Sequence, residues 1–286
     1  MTHRPGTPLL RMEGISKSFS GHAVLHAVDF EVRAGETHIL AGENGAGKST
    51  LMKILGGVHR PDTGRILLHG LEVELSSPEV SRRSGIAMVH QEMSLIESMS
   101  VTDNLLLGQD SGLILRGRAR DLAARRHCER VGLDLDVKRP VGEFAVAVRT
   151  QLEIAKALSR PSSLVIMDEP TASLPQPDVE RLLELLKDLK SSGRGIIYIS
   201  HRMEEIYRIG DRITVLRDGH AVGTAASADL REPKLIQWMV GREVPPAPSA
   251  STPARERGTV PALSVRGLSL RGERGYKIQD VSLDLH

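Results

Sequence analysis

The sequence has a single cysteine, almost no excess of positive charge and no long hydrophobic run. The lone cysteine, Cys128, excludes an intramolecular disulfide and is typical of a reducing compartment. Lysine and arginine number 38 against 36 aspartates and glutamates, and a net charge of +2 gives no electrostatic support for nucleic-acid binding. No apolar run approaches the roughly 18 residues of a membrane span, so work at a membrane would require a partner.

What the sequence does contain is an eight-residue phosphate-binding pattern, Gly42 to Ser49. It matches G-x-x-x-x-G-K-[ST] at every fixed position. A β-rich run, Glu36 to Ala41, precedes it, and a segment with apolar residues at helical spacing follows, which is the strand–loop–helix context that the pattern requires. The glycines let backbone N–H groups turn toward phosphates, Lys48 supplies a positive charge, and the Ser49 hydroxyl is a ligand for Mg²⁺. The pattern therefore predicts a nucleoside triphosphate with magnesium.

A pair of carboxylates lies about 120 residues further along the chain. Asp168 and Glu169 directly follow the continuous apolar run Leu164 to Met167, which is typical of a buried parallel strand. Such a strand would bring Asp168 beside the phosphate loop, where it can hold Mg²⁺ through its water shell. Glu169, one step beyond, is placed to polarise an attacking water as a general base.

In this combination the chain resembles the ATP-binding cassette ATPases, from about Leu10 to Val244. The resemblance implies an α/β fold: a P-loop NTPase cassette with a parallel-sheet core, an N-terminal antiparallel β region and a helical subdomain. Gln91 matches the family's glutamine loop, which touches the magnesium and γ-phosphate region, and His201 matches the switch histidine that contacts the γ-phosphate. Phe19, upstream of Lys48, stands where the family places an aromatic residue that stacks on adenine.

These matches give a complete set of expected site residues. The expected catalytic residues are Lys48, Gln91, Glu169 and His201, and the expected magnesium ligands are Ser49, Gln91 and Asp168. The expected nucleotide-binding residues are Phe19, Gly42, Glu43, Asn44, Gly45, Ala46, Gly47, Lys48, Ser49 and Thr50.

Four short motifs narrow the resemblance to the ATPase subunits of bacterial monosaccharide importers of the ribose, xylose and galactose type. These motifs are MVHQE at residues 88–92, EIAKAL at 153–158, DEPTASL at 168–174 and YISHR at 198–202. The resemblance implies ATP and Mg²⁺ as cofactors, hydrolysis coupled to import, and a peripheral position on the cytoplasmic face of the bacterial inner membrane. The implied partners are integral-membrane permease subunits, a second cassette and, indirectly, a periplasmic sugar-binding protein, but no nucleic acid.

One segment departs from the family. Where the signature Leu-Ser-Gly-Gly-Gln is expected, the chain has Phe144, Ala145, Val146, Ala147 and Val148. Ala145 lacks the serine hydroxyl that would bind the γ-phosphate in the opposite cassette, and Ala147 adds a methyl group where backbone approaches phosphate. Loss of one such donor costs about 10²–10³ in rate in a transition-state site. A second departure is Pro175, where the family usually has a polar residue.

The composition and an internal repeat suggest how the chain is divided. We expect a first cassette at residues 1–244, with its helical subdomain at about 92–160, and a proline-rich linker at 245–261. Leu263 to Leu285 aligns without gaps on Leu10 to Val32, which predicts the truncated start of a second cassette at 262–286.

Three alternative functions are open at this point. The cargo could be a furanosyl signalling molecule or a nucleoside, because the motifs identify ATP chemistry and not the solute. The chain could be a soluble cassette ATPase acting on DNA or ribosomes, although it has no coiled-coil insertion and its net charge is low. It could also be a regulatory cassette that binds ATP and hydrolyses it poorly, which the altered signature would favour.

Overall fold

The structure is a computed structural model that describes residues 8–89, 94–108, 117–241, 260–272 and 275–285. The chain forms two compact units, Met1–Glu243 and Val244–His286. The strands of the first unit are β1 Pro8–Phe19, β2 His22–Arg33, β3 Thr37–Ala41, β4 Thr63–Leu68, β5 Leu71–Glu72, β6 Ile86–Val89, β7 Leu164–Asp168, β8 Gly195–Ile199, β9 Arg212–Arg217 and β10 His220–Ala226. Its α-helices are α1 Lys48–Leu55, α2 Pro78–Arg83, α3 Val101–Leu106, α4 Gly117–Arg130, α5 Val146–Ala157, α6 Gln176–Ser191, α7 Met203–Ile209 and α8 Glu232–Val240.

A six-stranded sheet forms the centre of the first unit, in the order β10-β9-β3-β8-β7-β6. The strands from β9 to β6 are parallel, and β10 is antiparallel to β9. Both faces of the sheet are covered: Val165 and Met167 belong to one core cluster, and Leu164 and Ile166 belong to the other. This two-sided burial explains why these strands are continuous apolar runs rather than alternating ones.

The second sheet of this unit is antiparallel, in the order β2-β1-β4-β5. It shares a core cluster with α1 and with one face of the parallel sheet. The helices α3, α4 and α5 contact one another and lie between β6 and β7 in the chain. The expected fold, a parallel-sheet core with an antiparallel N-terminal region and a helical part, is confirmed.

Several elements differ from what the sequence patterns indicate. The residues from Arg65 to Gly70 have a pattern typical of a strand. Strand β4 ends at Leu68, because His69 takes a left-handed conformation at a φ of 54° and turns the chain. The short helices α2, α7 and α8 have too few turns to give a clear apolar period. Within the described residues, no helix is both long enough and apolar enough to cross a membrane.

The second unit contains one described hairpin, β11 Leu263–Gly272 and β12 Gly275–Leu285. Its strand pairing repeats that of β1 and β2 position by position. The matched pairs are Leu10–Val32 with Leu263–Leu285, Met12–Phe30 with Val265–Leu283, and Ile15–Val28 with Leu268–Val281. The register shifts also fall at equivalent places in the two hairpins.

The backbone irregularities repeat as well. Gly14 has a φ of 62° and Gly267 one of 58°, while Ala27 has 46° and Asp280 has 52°. Ser16 Oγ accepts a hydrogen bond from Ala27 N, and Ser269 Oγ accepts one from Asp280 N, at 3.0 and 2.9 Å. The sequence repeat is therefore also a repeat of local structure.

Candidate functional site

The phosphate loop leaves the carboxyl end of a fully buried strand. All five residues of β3 are buried, and the strand ends one residue before Gly42. Gly42 has a φ of 150°, and a Cβ atom there would lie 2.2 Å from Leu216 O on β9. At the other end of the loop, Gly47 has a φ of 102° and caps α1, which begins at Lys48. Glycine is thus required at both ends of the loop, for conformation and for space.

Lys48 bends back over this loop. Its Nζ donates hydrogen bonds to Gly42 O at 2.7 Å and to Glu43 O at 2.9 Å. Burial lowers the pKa of Lys48, and the negative charges of Asp168 and Glu169 act in the opposite direction, toward the charged form. Because phosphate oxygens are stronger acceptors than carbonyl groups, the ammonium group is placed to move from the loop carbonyls to a bound phosphate.

Glu169 and His201 meet at the ends of the neighbouring strands β7 and β8. His201 Nδ1 lies 3.1 Å from Glu169 Oε1, with the His201 side chain 69% exposed and that of Glu169 only 22% exposed. Glu169 has a left-handed φ of 47°, and its N–H donates to Ile199 O at 3.0 Å. A glutamate in this conformation costs about 1–3 kcal/mol, a strain that is found most often at functional sites.

The described site residues therefore converge on one edge of the parallel sheet. Lys48 follows β3, Asp168 ends β7, and Glu169 and His201 line a cavity of about 400 Å³ beside them. Open parallel sheets bind ligands at this carboxyl edge. Ser49 is exposed in the first turn of α1 and Thr50 is half-buried beside it. The loop residues Glu43, Asn44 and Gly45 are exposed and Ala46 is buried.

Phe19 and Gln91 are the two remaining expected site residues. Phe19 ends β1 and is 37% exposed; its ring meets that of His59 edge-on, with centroids 5.0 Å apart, and Lys17 Nζ lies 5.6 Å from its centroid. Its role in adenine stacking stays a prediction. Gln91 lies outside the described residues.

The residues expected to hold Mg²⁺ fit that ion chemically. A serine hydroxyl and an aspartate carboxylate are hard oxygen ligands, and Mg²⁺ usually keeps several water molecules instead of a full protein cage. Accordingly, no cluster of three or more His, Cys, Asp or Glu side chains suited to a metal is found in the part of the chain that the structure describes. Ser49 and Asp168 would hold Mg²⁺ together with the phosphates of the nucleotide.

The altered signature segment forms the start of α5. Ala145 is the N-cap residue of this helix, with φ −59° and ψ 154°, and no side-chain hydrogen bond caps the helix there. Phe144 precedes it, and the Arg139 guanidinium lies 4.8 Å from the centre of its ring. The segment therefore keeps a helix N-terminus but offers no hydroxyl donor.

The sequence patterns did not reveal what supports the phosphate loop from the side. Asp218 and Gly219 have a sequence typical of a hairpin turn, and they connect β9 to β10. Gly219 N donates to Ala46 O at 3.2 Å, and Gly219 O accepts from His26 N at 2.9 Å. This turn connects the loop to β2, a contact between distant parts of the chain that no local pattern encodes.

The chain is similar in sequence to proteins of one family. The sequence model of the family described as ABC transporter matches residues 25–172. A ribose import ATP-binding protein of Rubrobacter xylanophilus is 46% identical over 283 residues, covering 97% of this chain and 55% of that protein. A putative ribose/galactose/methyl galactoside import ATP-binding protein of Burkholderia lata is 43% identical, covering 100% of this chain and 55% of that protein. The chain thus spans about half the length of the curated relatives it matches.

Solved structures of similar fold are also cassettes. A nucleotide-free ATP-binding cassette from an ABC transporter has a TM-score of 0.72 at 24% identity, covering 82% of this chain and 100% of that one. The ATP-binding subunit of an ABC transporter has a TM-score of 0.70 at 27% identity, covering 82% of this chain and 98% of that one. Because the family match includes the phosphate loop, Asp168 and Glu169, this chain belongs to the ABC transporter family of ATP-binding cassette proteins.

Proposed function

We propose that this chain is the ATP-binding and ATP-hydrolysing part of a monosaccharide importer. The observation that carries the proposal is the convergence of Lys48, Asp168, Glu169 and His201 at one edge of the sheet. A cationic loop for phosphates, a carboxylate for magnesium and a second carboxylate beside a histidine are the parts that phosphoryl transfer to water needs.

Each residue has a defined task in this proposal. Lys48 and the loop N–H groups bind the phosphates, and Phe19 stacks on the adenine. Glu169 accepts a proton from the attacking water, and the hydrogen bond to His201 fixes the orientation of its carboxylate. When bound by Ser49, Asp168 and Gln91, Mg²⁺ neutralises charge on the phosphates.

The importer assignment is supported by the names of the relatives. The similar proteins of Rubrobacter xylanophilus and Burkholderia lata are named as import ATP-binding proteins for ribose, or for ribose, galactose and methyl galactoside. We propose the same role here, with permease subunits in the membrane, a periplasmic sugar-binding protein acting through them, and the chain on the cytoplasmic face of a bacterial inner membrane.

We further propose a second cassette as partner, in the same full-length chain or in a dimer. The β11–β12 hairpin repeats β1–β2 in register and in its bulges, and the relatives are nearly twice as long as this chain. Two cassettes closing head to tail would pair this phosphate loop with the other signature, and the altered segment at 144–148 with the other loop. The full protein would then have one competent and one impaired site.

The decisive experiment replaces the proposed general base. Glu169→Gln in the complete protein, assembled with its permease in proteoliposomes, should abolish most ATP hydrolysis and most uptake of labelled ribose, xylose or galactose. Glu184→Gln, the same chemical change on the exposed face of α6, should leave both rates unchanged. Near-normal hydrolysis by the Glu169→Gln protein would contradict the proposal.

A further inference from the structure

Glu205 is a buried carboxylate on which three hydroxyl groups converge. It lies in the first turn of α7 and is 4% exposed. Its Oε2 accepts hydrogen bonds from Tyr198 Oη at 2.8 Å and from Thr171 Oγ1 and Ser200 Oγ at 3.0 Å each. An ionised carboxylate accepts hydrogen bonds and donates none, so it suits a site where all three neighbours donate.

The second oxygen of this carboxylate faces a cation. Arg202 Nη1 lies 2.9 Å from Glu205 Oε1. The contact is an ion pair, and this buried oxygen has no hydrogen-bond partner among the described residues. Arg202 N also donates to Ser200 Oγ at 3.0 Å, which closes a small ring of contacts around the carboxylate.

The three hydroxyl donors belong to two segments that carry the proposed reaction chemistry. Thr171 lies two residues after Glu169, and Ser200 directly precedes His201. Beyond the bond from Glu169 N to Ile199 O, these segments leave the sheet as loops. The Glu205 carboxylate joins the two segments again, because it accepts hydrogen bonds from Thr171 and Ser200, two residues that line the same cavity as Glu169 and His201.

We infer that Glu205 is a positioning residue for ATP hydrolysis, holding the Glu169 segment and the His201 segment at their working separation. The inference rests on the proposed function. Glu205 acts through Thr171 and Ser200, because it is buried and belongs to neither the phosphate loop nor the lining of the cavity. Glu205 therefore affects the rate of the hydrolysis step, whereas nucleotide binding depends on the phosphate loop.

This role gives a specific kinetic signature. Glu205→Ala removes the acceptor of all three hydroxyls, which frees the two loops to move relative to each other. A misplacement of about 1 Å at reacting groups can cost about 10²-fold in rate, and we expect a fall of that order in kcat. KM for ATP should hold, because the phosphate loop follows β3 and makes none of these contacts.

The test compares variants in the complete protein assembled with its permease. Glu205→Gln keeps the size and one acceptor oxygen and should lower kcat by about tenfold or less, between wild type and Glu205→Ala. Tyr198→Phe removes one donor and leaves the carboxylate. Glu204→Gln makes the same chemical change at the adjacent exposed residue and should leave kcat unchanged.

Each outcome decides one way. A graded loss of kcat, with KM and the amount of ATP bound per protein unchanged, supports the inference. Unchanged kcat in Glu205→Gln and Tyr198→Phe overturns it, and so does a loss of kcat that only follows a loss of bound ATP, since that indicates unfolding. If Glu169→Gln in the same assay keeps near-normal activity, the proposed function fails first.

Discussion

The phosphate loop and the start of α5 are the two segments of this cassette that we propose to face phosphates, and they differ in how tightly their residues are specified. In the loop, Gly42 and Gly47 have positive φ angles and no room for a Cβ atom, and Lys48 makes two hydrogen bonds. At the start of α5, Ala145 is exposed and its side chain makes no capping hydrogen bond to the helix. The chain thus has a closely packed phosphate loop and a signature segment without a side-chain hydroxyl donor.

The largest expected effect comes from removing the close fit of the loop. In Gly42→Ala the added Cβ would collide with Leu216 O at 2.2 Å in a backbone conformation that alanine rarely adopts. Overpacking and backbone strain each cost about 1–3 kcal/mol, and together they predict an ATP affinity lower by about 10³-fold. Gly45→Ala is the matched control, because Gly45 also has a positive φ of 84° but open space around it.

The measurement is ATP binding by titration calorimetry, corrected for the folded fraction of each variant. Gly45→Ala should lose about 5- to 100-fold in ATP affinity, from strain alone. Equal losses of ATP affinity in Gly42→Ala and Gly45→Ala would show that the close approach of Gly42 to β9 is unimportant for binding. The residues of the loop would then be no more tightly specified than those at the start of α5.

The sequence predicted those parts of the site that depend on local order. The loop Gly42 to Ser49 follows one buried strand, Asp168 and Glu169 lie at the end of another, and parallel strands bring their carboxyl ends to one edge. The hydroxyl groups around Glu205 were not predicted, since Thr171 and Tyr198 are distant in sequence and their hydrogen bonds form only after the sheet and α7 pack. The hydrogen bond from Gly219 to Ala46 was not predicted either, because these residues are also distant in sequence.

Burial was predictable only where the packing partners could be inferred. Ile15 and Leu268 occupy equivalent positions in two hairpins of the same register, yet Ile15 is fully buried and Leu268 is 48% exposed. In the first unit β4 and the helix α1 supply the core around β1 and β2. The local sequence therefore determines the bulges and turns of a hairpin, whereas its burial depends on segments elsewhere.

A smaller effect should follow from giving the signature segment its missing hydroxyl donor. In the complete protein carrying Glu169→Gln, ATP hydrolysis at the proposed competent site is blocked. The remaining hydrolysis then comes from the proposed impaired site. Changing Ala145→Ser and Ala147→Gly there restores a hydroxyl and removes a methyl group, and we expect turnover to rise by about 10²-fold.

The control for that experiment is the same pair of substitutions, Ala145→Ser and Ala147→Gly, in the isolated 286-residue chain. ATP binding by that variant should not change, because its phosphate loop is unaltered. Unaltered turnover in the complete protein would show that the segment at 144–148 works as it stands. The difference between the two phosphate-facing segments would then have no functional meaning.

The smallest effect concerns stability alone. Ala145 has φ −59° and ψ 154°, close to the −62° and 159° of Ser100, the N-cap of α3, whose Oγ accepts a hydrogen bond from Asp103 N at 3.0 Å. The backbone at Ala145 is therefore already shaped for a serine cap, and Ala145→Ser should stabilise the cassette by about 1 kcal/mol. Thermal unfolding without nucleotide should show Tm higher by about 2–4 °C, and Ser100→Ala should lower it by a similar amount. If Ala145→Ser left Tm unchanged while Ser100→Ala lowered it, the start of α5 would differ from an ordinary helix start in more than its missing hydroxyl.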